Sequence, residues 1–353
     1  MAQRRAIFSV RFHMKTRQFL LLFSLGALLF SGALSSCAQA QTPPTSTRFT
    51  PKSVVDAWTK RRAIYDYDRR APLEKKLVRR TQNSVSVIEK FTIRGVRGAT
   101  EPFYIVMPLA ASPKNRAPSL ILIHGLTQNI DEMLIVAQLY AAQGYASLIP
   151  EYVNHGDRFS DRHARFGSDA SGLRSDIIES VGDIRRTLDV FCARDEIDPK
   201  RIALVGFSLG AILGTMTTAL DSRVSTAIFA VGGGDWRTIL GDSSISSPKT
   251  KAAARALSAA QIALLDDVDP KNFVAQIAPR PVLMMNGRRD DIIPVAAAQI
   301  FFQSARSPKR QIWFDSGHIL PVFQVAEPIN SWLQQQLRAS TKSTFAKSAT
   351  RRN

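Results

Sequence analysis

Cysteine is nearly absent: the 353-residue chain has two, Cys37 and Cys192. Two thiols cannot form the disulfide framework of a small secreted scaffold, so stability must come from an apolar core. Acidic residues are also scarce, with 29 Asp and Glu against 47 Lys and Arg, for a formal net charge of +18. The basic residues gather near the N-terminus, between Arg48 and Arg97, and in the tail from Arg338 to Arg352. No zinc-finger spacing or RNA-binding aromatic motif accompanies them, so no nucleic-acid partner is expected. A solvated basic surface, with some attraction to anionic membranes, is the reading instead. No internal repeat is present. The longest apolar run, Phe19 to Leu34, falls short of the about 20 residues that span a bilayer. The 45% hydrophobic and 22% charged content is that of a globular protein able to bury a large core.

Residues 1–36 are read as a leader: Arg4, Arg5, Arg11, Lys15 and Arg17 precede that apolar run. Losing them removes five basic and no acidic residues, so the mature chain stays strongly basic. The following LSSC, Leu34 to Cys37, resembles the lipobox of bacterial lipoproteins, which implies lipidation of Cys37 and an exported, envelope-anchored protein. Ala38 and Ala40 offer the alternative of ordinary cleavage, leaving a soluble periplasmic or secreted protein. With Cys37 lipidated or removed, Cys192 has no intrachain partner and is expected as a buried thiol.

Residues 37–51 are polar and proline-containing and read as a tether. Residues 52–83 mix charges with spaced apolar residues and are expected as a helical segment packed on the body. From residue 84 to 338 strands and helices alternate. SVSVIEKFTI and EPFYIVMPL, separated by the Gly95–Gly98 turn, read as a hairpin. PSLILIHG, YASLIPEY, RIALVGFS, STAIFAVGGG, PVLMMNG and RQIWFDSG read as further strands, with helical patterns between them. This predicts an α/β domain with a mostly parallel, eight-stranded sheet covered on both faces. Two connections, Val153–Gly172 and Gly241–Lys271, are too long for simple turns and are expected to carry substrate contacts or a lid. Residues 339–353 read as a basic disordered tail.

In VGFSLGA, Val205 to Ala211, Gly206 and Gly210 flank Ser208 at two residues on either side. A strand-to-helix reversal this tight brings strand and helix so close that both flanking positions tolerate only tiny side chains. It lifts the serine hydroxyl above the sheet, with a helix N-terminus pointing at it. A serine needs a base, and the base needs orienting. Acids follow a strand-ending glycine in NGRRDDIIP, and a histidine follows the last strand in DSGHILP.

With these residues the sequence resembles the α/β-hydrolase family over about residues 84–338, near its dienelactone-hydrolase and acetyl-xylan-esterase branches. Gly287, Asp290, Ile293 and Pro294 fit that family's G-x-x-D-x-x-[IV]-P pattern, which implies Asp290, rather than Asp291, as the acid and His318 as the base. The resemblance also implies an oxyanion hole from Leu209 N–H and a donor in HGLT, Leu126 or Thr127 N–H, with His124 structural. His155–Gly156 matches an HG turn of the family. The alternative of a metal at His155, Asp157, Asp161 and His163 fits no common ligand spacing, and neither metal nor organic cofactor is expected.

The implied function is hydrolysis of small carboxylic esters through an acyl-enzyme. An acyltransferase or amidase with the same triad is the rival enzyme reading, and a non-catalytic envelope binding protein on a hydrolase scaffold is the rival of another class. The sequence is silent on oligomeric state.

Overall fold

The continuous apolar runs become the inner strands of one sheet. β4 (Ala117–Ile123), β5 (Ala146–Pro150), β7 (Thr226–Ala230) and β8 (Val282–Gly287) bury nearly every residue, on both faces. Such strands need cover on both sides of the sheet, and the helices supply it. The computed structural model describes residues 52–158 and 169–338. The leader, Cys37, the tether, Asp161, His163 and the basic tail lie outside the described residues.

The sheet has nine strands in the order β1-β2-β3-β5-β4-β6-β7-β8-β9, completed by β1 (Lys76–Gln82), β2 (Ser86–Arg94), β3 (Thr100–Pro108), β6 (Ile197–Phe207) and β9 (Lys309–Phe314). β1, β2, β3 and β5 pair antiparallel in turn, and every pairing from β5 through β4 to β9 is parallel. The count exceeds the expected eight because β1 forms within the segment read as helical. Its sequence, KLVRRTQ, is exposed at every position, so no buried face imposes the period-two alternation that marks a strand. Only α1 (Lys52–Ala63) of that segment is helical. The segment docks through Trp58 and Tyr65, whose rings meet Phe273 edge-on at 5.7 and 5.5 Å.

Local chemistry sets the helix ends. α2 (Ile130–Ala142) begins at Asn129, whose side chain accepts from the Asp131 and Glu132 N–H groups, and the chain leaves it at Gly144, φ +86°. α3 (Ala170–Cys192) is capped by Asp169 accepting from Gly172 N–H. α4 (Leu209–Leu220) follows β6 after the single residue Ser208. The long Gly241–Lys271 connection is helical rather than a loop. After α5 (Trp236–Asp242) come α6 (Pro248–Arg255), with Ser247 as cap and Pro248 in its first turn, and α7 (Ala259–Asp266), opened by a Ser258–Gln261 capping box. α8 (Val295–Ser304) and α9 (Val322–Arg338) close the chain, and Trp332 Nε1–H ties α9 to Thr226 Oγ1 on β7 at 2.9 Å. No helix among the described residues is long and apolar enough to cross a membrane. Burial pushes the Cys192 thiol up to about 11, which keeps it protonated at neutral pH.

The strand order positions the site. From β4 the chain moves outward to β5, then crosses back to β6 on the other side of β4. The loops leaving β4 and β6 therefore diverge, and a crevice opens at the C-terminal ends of these strands.

Candidate active site

Ser208 is the turn between β6 and α4, with φ 55° and ψ −118°, a left-handed conformation that non-glycine residues rarely adopt. Its N–H donates to Ala230 O on β7 at 2.9 Å, which pins the turn to the neighbouring strand. The flanking glycines are required by close approach. A Cβ on Gly206 would overlap the Gly210 carbonyl, and one on Gly210 would overlap the carbonyl oxygens of Ile123 and His124. Backbone cannot swing aside as a side chain can. Gly210→Ala is therefore expected to cost about 1–3 kcal/mol by forced displacement, read as a lowered urea midpoint. An unchanged midpoint would contradict the close packing of α4 on β4.

The other two triad candidates come from the ends of β8 and β9. The loops after these strands are laced together: Arg288 N–H donates to Phe314 O at 2.8 Å and Arg289 N–H to Ser316 O at 2.9 Å. A Cβ on Gly287 would overlap the Ser316 and Gly317 carbonyl oxygens, which explains the strand-ending glycine. This lacing sets His318 beside both partners. Its Nε2 lies 3.0 Å from Ser208 Oγ, and its Nδ1 lies 3.0 and 2.9 Å from the Asp290 oxygens. Asp290 is 5% exposed and accepts the Ile292 and Ile293 N–H groups at 3.0 and 2.9 Å. Asp291 is exposed, and its carbonyl accepts Ser244 N–H at 2.7 Å. The fold thus brings Ser208, His318 and Asp290 into one hydrogen-bonded line and leaves Asp291 outside it.

Leu209 opens α4, so its N–H has no partner within the helix. The loop after β4 stands beside the serine: a Cβ on Gly125 would sit 3.5 Å from Ser208 Cβ. Leu126 follows there, with its side chain 40% exposed at the rim. Gly125 N–H donates to Gln128 Oε1 at 3.0 Å, and Gln128 N–H returns to Gly125 O at 3.1 Å.

Beneath this loop lies a buried polar layer that includes the structural His124 and the His155–Gly156 turn together with acidic and basic partners from other elements. His124 is fully buried, with Nε2 2.7 Å from Glu151 Oε1 and Nδ1 2.9 Å from Gly125 O. His155 begins the expected turn. Gly156 has φ +47°, and a Cβ on it would overlap Glu151 Oε2. The turn ends at Arg158, a buried guanidinium paired with Glu101, with Glu179 at 3.0 Å and with Asp183 at 2.9 Å. Burial pushes the Glu101 carboxyl well above its usual range, against the pull of Arg158. Burial also lowers the His155 imidazole. The signal for this layer was a glutamate directly after a buried strand, in EYVNHG. Asp157 pairs with Lys90 Nζ at 2.7 Å, and no grouping of three or more metal-ligating residues occurs among the described residues.

The mostly parallel sheet with its covering helices is the α/β-hydrolase fold. Residues 120–275 match the model of the alpha/beta hydrolase family. Among solved structures, an acetyl xylan esterase from Paenibacillus sp. R4 superposes with a TM-score of 0.67 at 21% identity, covering 83% of this chain and 97% of that one. The chain is also similar to the putative esterase YitV of Bacillus subtilis strain 168, 24% identical over 62% of this chain and 84% of that protein. It is 25% identical to YfhR of Escherichia coli strain K12, an uncharacterized protein, over 40% of this chain. That match spans less than half of YfhR, 46% of its length.

Proposed function

We propose that the protein is a serine esterase acting on small carboxylic esters. The observation that carries this reading is the unbroken line Ser208–His318–Asp290 at a strained strand-to-helix turn. On this reading His318 Nε2 takes the Ser208 proton as Oγ attacks the ester carbonyl carbon. Asp290 holds the Nδ1–H tautomer and stabilises the imidazolium. Leu209 N–H and a donor at Leu126 or Thr127 meet the oxyanion. The intermediate collapses as His318 passes its proton to the leaving alcohol, and water then hydrolyses the acyl-serine by the same route. Leu126 and Ile319, both exposed beside the serine loop and His318, favour an uncharged ester over a charged one. The esterase names of YitV and the Paenibacillus structure agree with this class.

The test is hydrolysis of p-nitrophenyl acetate and butyrate by the purified domain. Saturable turnover supports the reading. Acyl transfer to added alcohols or amines without net hydrolysis would replace it with a transferase. We also propose that Cys37 is lipidated after removal of residues 1–36, on the strength of LSSC behind a basic and apolar leader. Metabolic palmitate labelling of the full chain is expected to disappear in Cys37→Ser. Retained label would remove the anchor and leave a soluble exported enzyme.

A further inference from the structure

Two successive peptide groups of the loop after β4 are held from behind by buried imidazoles. Gly125 O lies 2.9 Å from His124 Nδ1. Leu126 O lies 2.7 Å from His155 Nε2, although the two residues are 29 positions apart. A trans peptide is planar, so its N–H points opposite to its C=O. Holding Gly125 C=O aims the Leu126 N–H, and holding Leu126 C=O aims the Thr127 N–H. Both belong to the loop beside Ser208, where a Cβ on Gly125 would sit 3.5 Å from Ser208 Cβ.

His155 is firmly mounted. It is 7% exposed, its ring packs 4.2 Å from the Tyr152 ring, and it enters the turn anchored at Arg158 by Glu101, Glu179 and Asp183. Its other ring nitrogen, Nδ1, lies 2.9 Å from Val153 O. Both neighbours are carbonyl acceptors, and a neutral imidazole has one N–H to give. The shorter contact is the one to Leu126, the residue beside the serine.

We propose, resting on the serine-esterase reading above, that His155 is a positioning residue. It carries a proton on Nε2, donates it to Leu126 C=O, and so fixes the Leu126–Thr127 peptide at the oxyanion side of Ser208. The ring never touches substrate. Its effect appears where charge develops in the transition state, and ground-state binding is left nearly unchanged.

Three substitutions separate this from a merely structural role, measured as kcat and KM on p-nitrophenyl acetate. A glutamine amide reaches the Nε2 position, an asparagine amide reaches the Nδ1 position, and phenylalanine reaches neither. His155→Gln is expected to keep kcat within about threefold. His155→Asn and His155→Phe are expected to lose about 10- to 100-fold in kcat, with KM within about twofold. A Gln variant as impaired as Phe, equal kcat in all three, or losses confined to KM would overturn the assignment. Should a variant not fold, the imidazole 15N–1H correlations of the wild-type enzyme decide. A proton on His155 Nε2 is expected, and a bare Nε2 overturns it. Wild-type protein with no turnover strikes the esterase reading itself, whereas an active enzyme indifferent to His155 removes this assignment alone.

Discussion

Ser208→Ala is expected to lower the turnover of p-nitrophenyl acetate by a factor on the order of 10⁴ or more. Removing Oγ leaves His318 Nε2 with its proton acceptor role but no nucleophile to activate. Any residual rate would come from general-base attack by water at the oxyanion donors, a far weaker path. The fold should tolerate the change. The N–H to Ala230 O bond is a backbone bond, and alanine meets the same unfavourable φ of 55° that serine already accepts. Stability is therefore expected to change by no more than about 1 kcal/mol. An active Ser208→Ala enzyme would mean that the ester is attacked by something other than this serine.

Asp290→Asn is the second large effect, a fall in kcat of about 10⁴-fold. The carboxylate accepts from His318 Nδ1 and from two backbone N–H groups. An asparagine of the same shape can turn its NH2 toward His318, which then presents Nδ1 as an acceptor and puts the proton on Nε2, where the serine proton must go. The neighbouring Asp291→Asn should change kcat by less than about threefold, because that side chain is exposed and only its backbone carbonyl is engaged. Equal losses at the two positions would undo the choice between them.

The parts of this site that depend on local spacing were legible in the sequence. Gly206, Ser208 and Gly210 are bound to one another by the geometry of a single turn, and Gly287 by the approach of the next loop. The inner strands announced themselves as unbroken apolar runs because both of their faces are buried. What stayed hidden lacks such a local imprint. β1 has no buried face, so its residues follow no pattern. The helices of the Gly241–Lys271 stretch begin at caps, Ser247 and Ser258, that are visible only when polar residues are read as helix starts rather than as loop. The support under the loop after β4, Glu151 to His124 and His155 to Leu126, joins residues 27 and 29 positions apart. Only the adjacency of β5 and β4 in the sheet brings them together.

The most direct test of the central claim is to treat the wild-type protein with a fluorophosphonate and map the adduct by peptide mass spectrometry. The account predicts one phosphonylated residue, Ser208, with labelling abolished by Ser208→Ala and strongly slowed by Asp290→Asn. A folded protein that takes no label, or takes it at another residue, would contradict the assignment of Ser208 as the nucleophile. The binding-protein reading of the scaffold would then move to the front.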